Sequence, residues 1–231
     1  MRNFIPKGIF HRQISSITIA AALVAMSSLI SRLLGVIRDR ILAGQFGAGA
    51  TLDIYYAAFR IPDLIYNLLV LGALSAVFIP IFTGLIKNQK IGARAEGNLV
   101  SAEKVNKAET AGGENTPAWA LANNVLNWLL IGLAALSAIG IIFAPTLTRL
   151  VAPGFSAADQ AATASLTRIM FLSPLFLGVS GIFGGILQSF KRFLIYSLAP
   201  IFYNLGIIVG ALYFVNWWGL SGLAWGVAAG A

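Results

Sequence analysis

The chain has no cysteine, and its single histidine, His11, lies in a basic leader. Disulfides, thiolate nucleophiles and metal centres built on Cys or His are therefore excluded. Charge is scarce too. Only 10% of the 231 residues are Asp, Glu, Lys or Arg, whereas soluble domains run nearer about 25%. Acid is the scarcer sign: 8 acidic residues stand against 16 basic ones, a net charge of +8. In a soluble protein that balance would suggest nucleic acid. Here 58% of residues are hydrophobic and mean hydropathy is +0.83, so the Lys and Arg residues are read as loop residues of a membrane protein. No nucleic-acid partner is expected.

What is present is a series of long apolar runs. A membrane-crossing helix needs about 20 mostly apolar residues. Six candidates follow, at about 14–44, 52–86, 118–151, 159–189, 194–215 and 220–231. The predicted fold is all-α, a polytopic transmembrane helical bundle. The leader with residues 14–26 also has the outline of a signal peptide, but the apolar stretch continues past residue 26 and further spans follow. The second run is too long for one straight crossing, and Pro62 and Pro80 are expected to kink it. Residues 87–117 differ in kind, with nine charged residues and a "TAGGENTP" end, and read as a polar cytoplasmic loop. Ser156, in "SAADQ", is placed to cap the fourth span. The sixth run is still apolar at Ala231, so the chain is expected to be part of a longer protein.

Basic residues set the orientation. With the N-terminus inside, the leader, the 87–117 loop and the 190–193 turn hold ten of them, whereas the outer segments hold only Arg149 and Arg168. That asymmetry predicts a cytoplasmic N-terminus. Trp217 and Trp218 suit the outer aromatic belt.

Seven ionisable residues interrupt the first two runs or their connection: Arg32, Arg38, Asp39, Arg40, Asp53, Arg60 and Asp63. A charge at the centre of a membrane helix costs about 2.5–3.5 kcal/mol on insertion scales. These side chains are therefore expected to pair or to face a polar cavity. Spacing puts Arg32 and Asp39 on one helix face, and Asp53 with Arg60 on another. Arg40 and Asp63 are read as paired or interfacial charges. Arg32, Arg38, Asp53 and Arg60 are the candidate binding residues, with Asp39 and Gly35 in support. Four cations against three acids leave a positive excess, and guanidinium suits phosphate. Gly and Pro breaks beside buried charge are what transporter sites show. A membrane-embedded lipid-phosphate transferase would need clustered acids for Mg²⁺ or acid–base work. The three aspartates are instead spread along the chain, each with an arginine nearby. A non-transporting scaffold would have no use for buried charge.

Four stretches carry a family resemblance: "SRLLGVIRDRILAGQFGAGATLDIYYAAFRIPDLI" (31–65), "GALSAVFIPIF" (72–82), "APGF" (152–155) and "GGILQSFKRFLIYSLAPIFYNLGII" (184–208). They resemble the MurJ/MviN lipid II flippases of the multidrug/oligosaccharidyl-lipid/polysaccharide exporter superfamily. The resemblance implies two six-helix lobes around a central cavity, with this chain as the N-terminal lobe. It implies alternating access that carries a polyprenyl-pyrophosphate-linked saccharide, lipid II, across the bacterial cytoplasmic membrane, with membrane lipids around it and no cofactor. It maps the family's cavity cations and acid onto Arg32, Arg38 and Asp53. Tyr66 and Asn67 stand where the family commonly carries an arginine, and Leu71 stands where it often carries an acid. A flippase for another lipid-linked saccharide remains the alternative, and oligomeric state is left open.

Overall fold

The computed structural model describes residues 17–72, 74–96 and 116–231. Every element among them is helical. The leader and most of the expected cytoplasmic loop lie outside the described residues.

Helix α1, Ile17–Phe46, is 30 residues long and unbroken. The sequence suggests an interruption at the charged stretch, but none occurs. Leu, Ala and Arg are good helix formers, and lone glycines cost only about 1 kcal/mol each. The helix stops where Gly47 takes a left-handed φ of +71° and donates to the Ala43 carbonyl at 2.9 Å. Such a turn is cheap only for glycine.

Helix α2 covers Ala50–Ile65. Two π-helical stretches follow, Tyr66–Leu71 and Leu74–Phe78, before α3, Ile79–Glu96. The distortion therefore lies between the two prolines. Pro62 removes a helix hydrogen bond just ahead of the first wide turn. Pro80 falls in the first turn of α3, directly after the second wide stretch, and removes a further helix hydrogen bond there. Helix α3 continues ten residues into the segment expected to be loop.

Helix α4, Pro117–Val151, begins with proline and ends before Pro153. Helix α5, Ala157–Met170, has the expected cap: the Asp159 amide donates to Ser156 Oγ at 3.2 Å, and Ser156 Oγ donates to Asp159 Oδ2 at 2.7 Å. The fourth predicted span is in fact two helices. A turn at Phe171–Leu172 separates α5 from α6, Ser173–Ser189, just before Pro174. Helix α7, Phe193–Val209, runs through a π-helical stretch, Gly210–Phe214, into the short α8, Val215–Trp218. Gly219, at φ +54°, turns the chain into α9, Ser221–Gly230.

Among the described residues four segments are long and apolar enough to cross a membrane: Ala21–Phe46, Pro117–Val151, Ala157–Ser189 and Phe193–Trp218. Large apolar side chains such as Val36, Leu68, Trp128, Ile142 and Leu150 point outward. That is the surface lipid requires, since backbone polar groups are satisfied within the helices.

Two clusters form the core. One joins Leu42, Leu52, Tyr55, Met170, Ile207 and Leu223; the other joins Val70, Phe78, Phe82, Leu133 and Ile182. Helix α1 lies along α7, α2 along α5, and α4 along α5 and α6. Helix α9 crosses α7 and the π-helical stretch after it at backbone contact. A Cβ on Gly210 would sit 2.6 Å from Gly226 Cα, and one on Gly206 would collide with Gly230. The two Gly-x-x-x-Gly faces, 206/210 and 222/226/230, are what permit the approach. Similarly, the Phe171 ring occupies the space a side chain at Gly140 would need.

Candidate functional site

Helix α1 presents a polar stripe to α7. Ser27, Ser31 and Arg38 fall at i, i+4 and i+11, which is one helix face. On α7, Ser197 and Asn204 are seven residues apart and face them. Ser197 Oγ donates to Ser27 Oγ at 2.9 Å, and both serines are buried. The Asn204 amide nitrogen lies 3.1 Å from Ser31 Oγ, 3.2 Å from the Ser31 carbonyl and 3.0 Å from the Pro200 carbonyl. Its oxygen accepts from Arg38 Nη1 at 2.9 Å. A Cβ added to Gly35 would lie 3.8 Å from that oxygen, so alanine fits there and a long side chain would press on the pair. Serine and asparagine act as interhelical ties in an apolar setting.

Arg38 also holds Asp39. Nη2 lies 2.8 Å and Nε 2.9 Å from the same oxygen, Oδ1. The pairing of Asp39 with Arg32 suggested by seven-residue spacing does not occur, because the adjacent guanidinium reaches the carboxylate first. Arg32 forms no ion pair or hydrogen bond among the described residues.

Arg32 instead lines a cavity of about 770 Å³ between α1, α2, α6 and α7. Asp63, Tyr66, Gln188, Tyr196 and Tyr203 share its walls. Asp63 is thus a cavity residue rather than a purely interfacial one. Its carboxylate accepts from Asn67 Nδ2 at 3.0 Å, and the same nitrogen contacts the Asp63 carbonyl at 2.9 Å. Asn67 so holds the acid one turn away, at the start of the π-helical stretch.

The other expected residues sit elsewhere. Arg38 borders the α1–α7 seam without lining the cavity. Asp53 and Arg60 are exposed on α2, form no ion pair with each other, and are not in the cavity wall. Asp53 lies in the first turn of α2, where a helix N-terminus favours negative charge. Arg40 is exposed. Sequence reasoning missed Asn204 and the two serine positions facing α7, although the polar residues at i, i+4 and i+7 spacing within apolar helices were the available signal.

A family model described as "Lipid II flippase MurJ" matches residues 42–231. The chain belongs to that family. The match begins after Arg32, Arg38 and Asp39. The lipid II flippase MurJ of Burkholderia cenocepacia is 33% identical over 188 residues, 80% of this chain and 32% of that protein. A probable lipid II flippase MurJ of Treponema pallidum is 31% identical over 202 residues, 87% of this chain and 34% of that protein. The chain spans about a third of the length of these curated relatives. A solved structure titled "Lipid II flippase MurJ, inward closed conformation" superimposes with a TM-score of 0.64 at 23% identity, covering 90% of this chain and 39% of that one. The shared feature is the fold, a multi-pass helical membrane protein.

Proposed function

We propose that this chain is the N-terminal lobe of a transporter that carries lipid II across the bacterial cytoplasmic membrane by alternating access. It would be oriented with its N-terminus in the cytoplasm. One observation carries the reading: Arg32, exposed and without a partner among the described residues, lines an open cavity between membrane helices. A cation held there calls for an anion, because an unpaired charge in a membrane segment is costly. The pyrophosphate between lipid and sugar is the part of the substrate hardest to bring across.

In this reading Arg32, in the cavity wall, and Arg38, on the α1–α7 seam outside it, both hold the pyrophosphate as access changes, by charge-assisted bonds of about 1.5–3 kcal/mol each in net terms. Asp53 and Arg60 on α2 join the site as access changes, with Asp39 holding Arg38 and Gly35 leaving room beside it. Asp63, which lines the same cavity, offers a competing anion that favours release. The isoprenoid tail stays in the bilayer, so the protein handles only the polar head. No bond is made or broken, and the protein is not an enzyme.

The test is translocation by the full-length protein in vesicles. Arg32→Ala should abolish it while insertion and protein level stay normal. Arg32→Lys should also fail substantially, because an ammonium lacks the forked donor set. Normal translocation by Arg32→Ala would overturn the reading.

A second reading, another polyprenyl-pyrophosphate-linked saccharide as cargo, draws support from Tyr66 in the cavity wall. An aromatic ring where relatives commonly carry arginine suits a sugar face better than a second phosphate charge. Competition between the two lipids in the same vesicles separates the readings.

A further inference from the structure

We infer that Asn204 is a positioning residue for Arg38: a single buried amide on α7 fixes the guanidinium that meets the anionic headgroup. The inference rests on the role proposed above for Arg38.

The amide's orientation is determined by its surroundings. Its nitrogen end faces two backbone carbonyls and a hydroxyl, those of Ser31 and Pro200. Carbonyl oxygens only accept, so the NH₂ must point to them and the oxygen must point to Arg38. Asn204 is only 8% exposed, and the Pro200 carbonyl belongs to its own helix one turn back. The oxygen is therefore anchored to the α7 backbone and to α1 at once.

The consequence for Arg38 is geometric. A guanidinium has five N–H donors. Two go to Asp39 on one edge, and one goes to Asn204. Two remain, on a plane that can no longer rotate about the Asp39 contact. Without Asn204, Arg38 would keep only Asp39, an adjacent and half-exposed carboxylate. Such a pair is a weakly oriented surface contact. The charge would persist, but the two free donors would lose their direction. Ser27 and Ser197 tie the same helices further along without touching Arg38, so packing of α1 on α7 and positioning of Arg38 can be varied separately.

The experiment measures binding of a fluorescent polyprenyl pyrophosphate to the purified full-length protein in detergent. The variants are Arg38→Gln, Asn204→Ala, the double variant and Ser27→Ala. Arg38→Gln should weaken binding about tenfold or more, and Asn204→Ala about tenfold, the worth of one charge-assisted bond. The double variant should bind no worse than Arg38→Gln alone, and Ser27→Ala should bind as wild type. If Asn204→Ala weakens binding equally with and without Arg38, Asn204 merely holds the helices together, and the inference is wrong. If Arg38→Gln weakens binding and Asn204→Ala does not, the inference fails and the headgroup role of Arg38 survives. If Arg38→Gln itself changes nothing, that role fails, and the inference with it. Should the alanine variant not accumulate, Asn204→Leu keeps the packed volume and removes both ends of the amide.

Discussion

The crossing of α9 over α7 gives the sharpest stability prediction. The perturbation is one methyl group at Gly226. That Cβ would lie 2.6 Å from Gly210 Cα and 2.9 Å from the Gly206 carbonyl oxygen. Ordinary contact begins near 3.4 Å, so the two backbones must part by nearly 1 Å. Neither neighbour is a side chain that can swing aside. Overpacking of this kind costs about 1–3 kcal/mol, partly offset by about 1 kcal/mol from the better helix propensity of alanine. Gly226→Ala should therefore destabilise by about 1 kcal/mol. Gly226→Leu, which cannot be absorbed by so small a shift, should cost well above 3 kcal/mol. Gly44→Ala is the control: nothing lies within 4 Å of its added Cβ, so it should be neutral or slightly stabilising. Unfolding of the full-length protein in mixed micelles by added sodium dodecyl sulfate gives the free energies. Trp225, adjacent to the site and near Trp218, supplies the fluorescence signal. Equal midpoints for Gly226→Leu and wild type would refute the close crossing.

Gly140 and Phe171 should behave as a coupled pair. Gly140→Ala alone should lower stability, and its cost should be smaller in a Phe171→Ala background than in wild type, which a double-mutant cycle in the same assay would show. Orientation can be checked with a cysteine at Ala111 in a chain that otherwise has none. It should be shielded from an impermeant thiol reagent added outside intact cells, and rapid labelling would reverse the assignment.

Much of the helical organisation was legible because apolar runs of membrane length admit few alternatives. The Ser156 cap was legible for a local reason, since donor and acceptor lie three residues apart. Local pattern failed where the deciding contact was remote. Charge near Arg32 and Arg38 suggested a break in α1, yet Asn204 on α7 accepts a hydrogen bond from Arg38 and the helix continues. Pro62 and Pro80 pointed to the right segment. They did not show that the irregularity would take the form of two π-helical stretches between them. The break at 171–172, just before Pro174, was concealed by the uninterrupted apolar run. Asp63 looked like an interfacial charge because its cavity is built by α1, α6 and α7, which its neighbours in sequence do not reveal. Likewise the spacing of Gly206, Gly210, Gly222, Gly226 and Gly230 was visible, but which helices cross is a property of the assembled chain.

The seam between α1 and α7 joins residues 166 and 170 positions apart. Ribosomes add about 5–20 residues per second, so α1 leaves the exit tunnel roughly 10–30 s before its partner exists. Throughout that interval Ser27, Ser31 and Arg38 have no Ser197 or Asn204 to meet, and only Asp39 is at hand. Helix α1 therefore carries this polar stripe without its partner until α7 arrives. The order of synthesis thus leaves the α1 side of the seam unpartnered until α7 has been made.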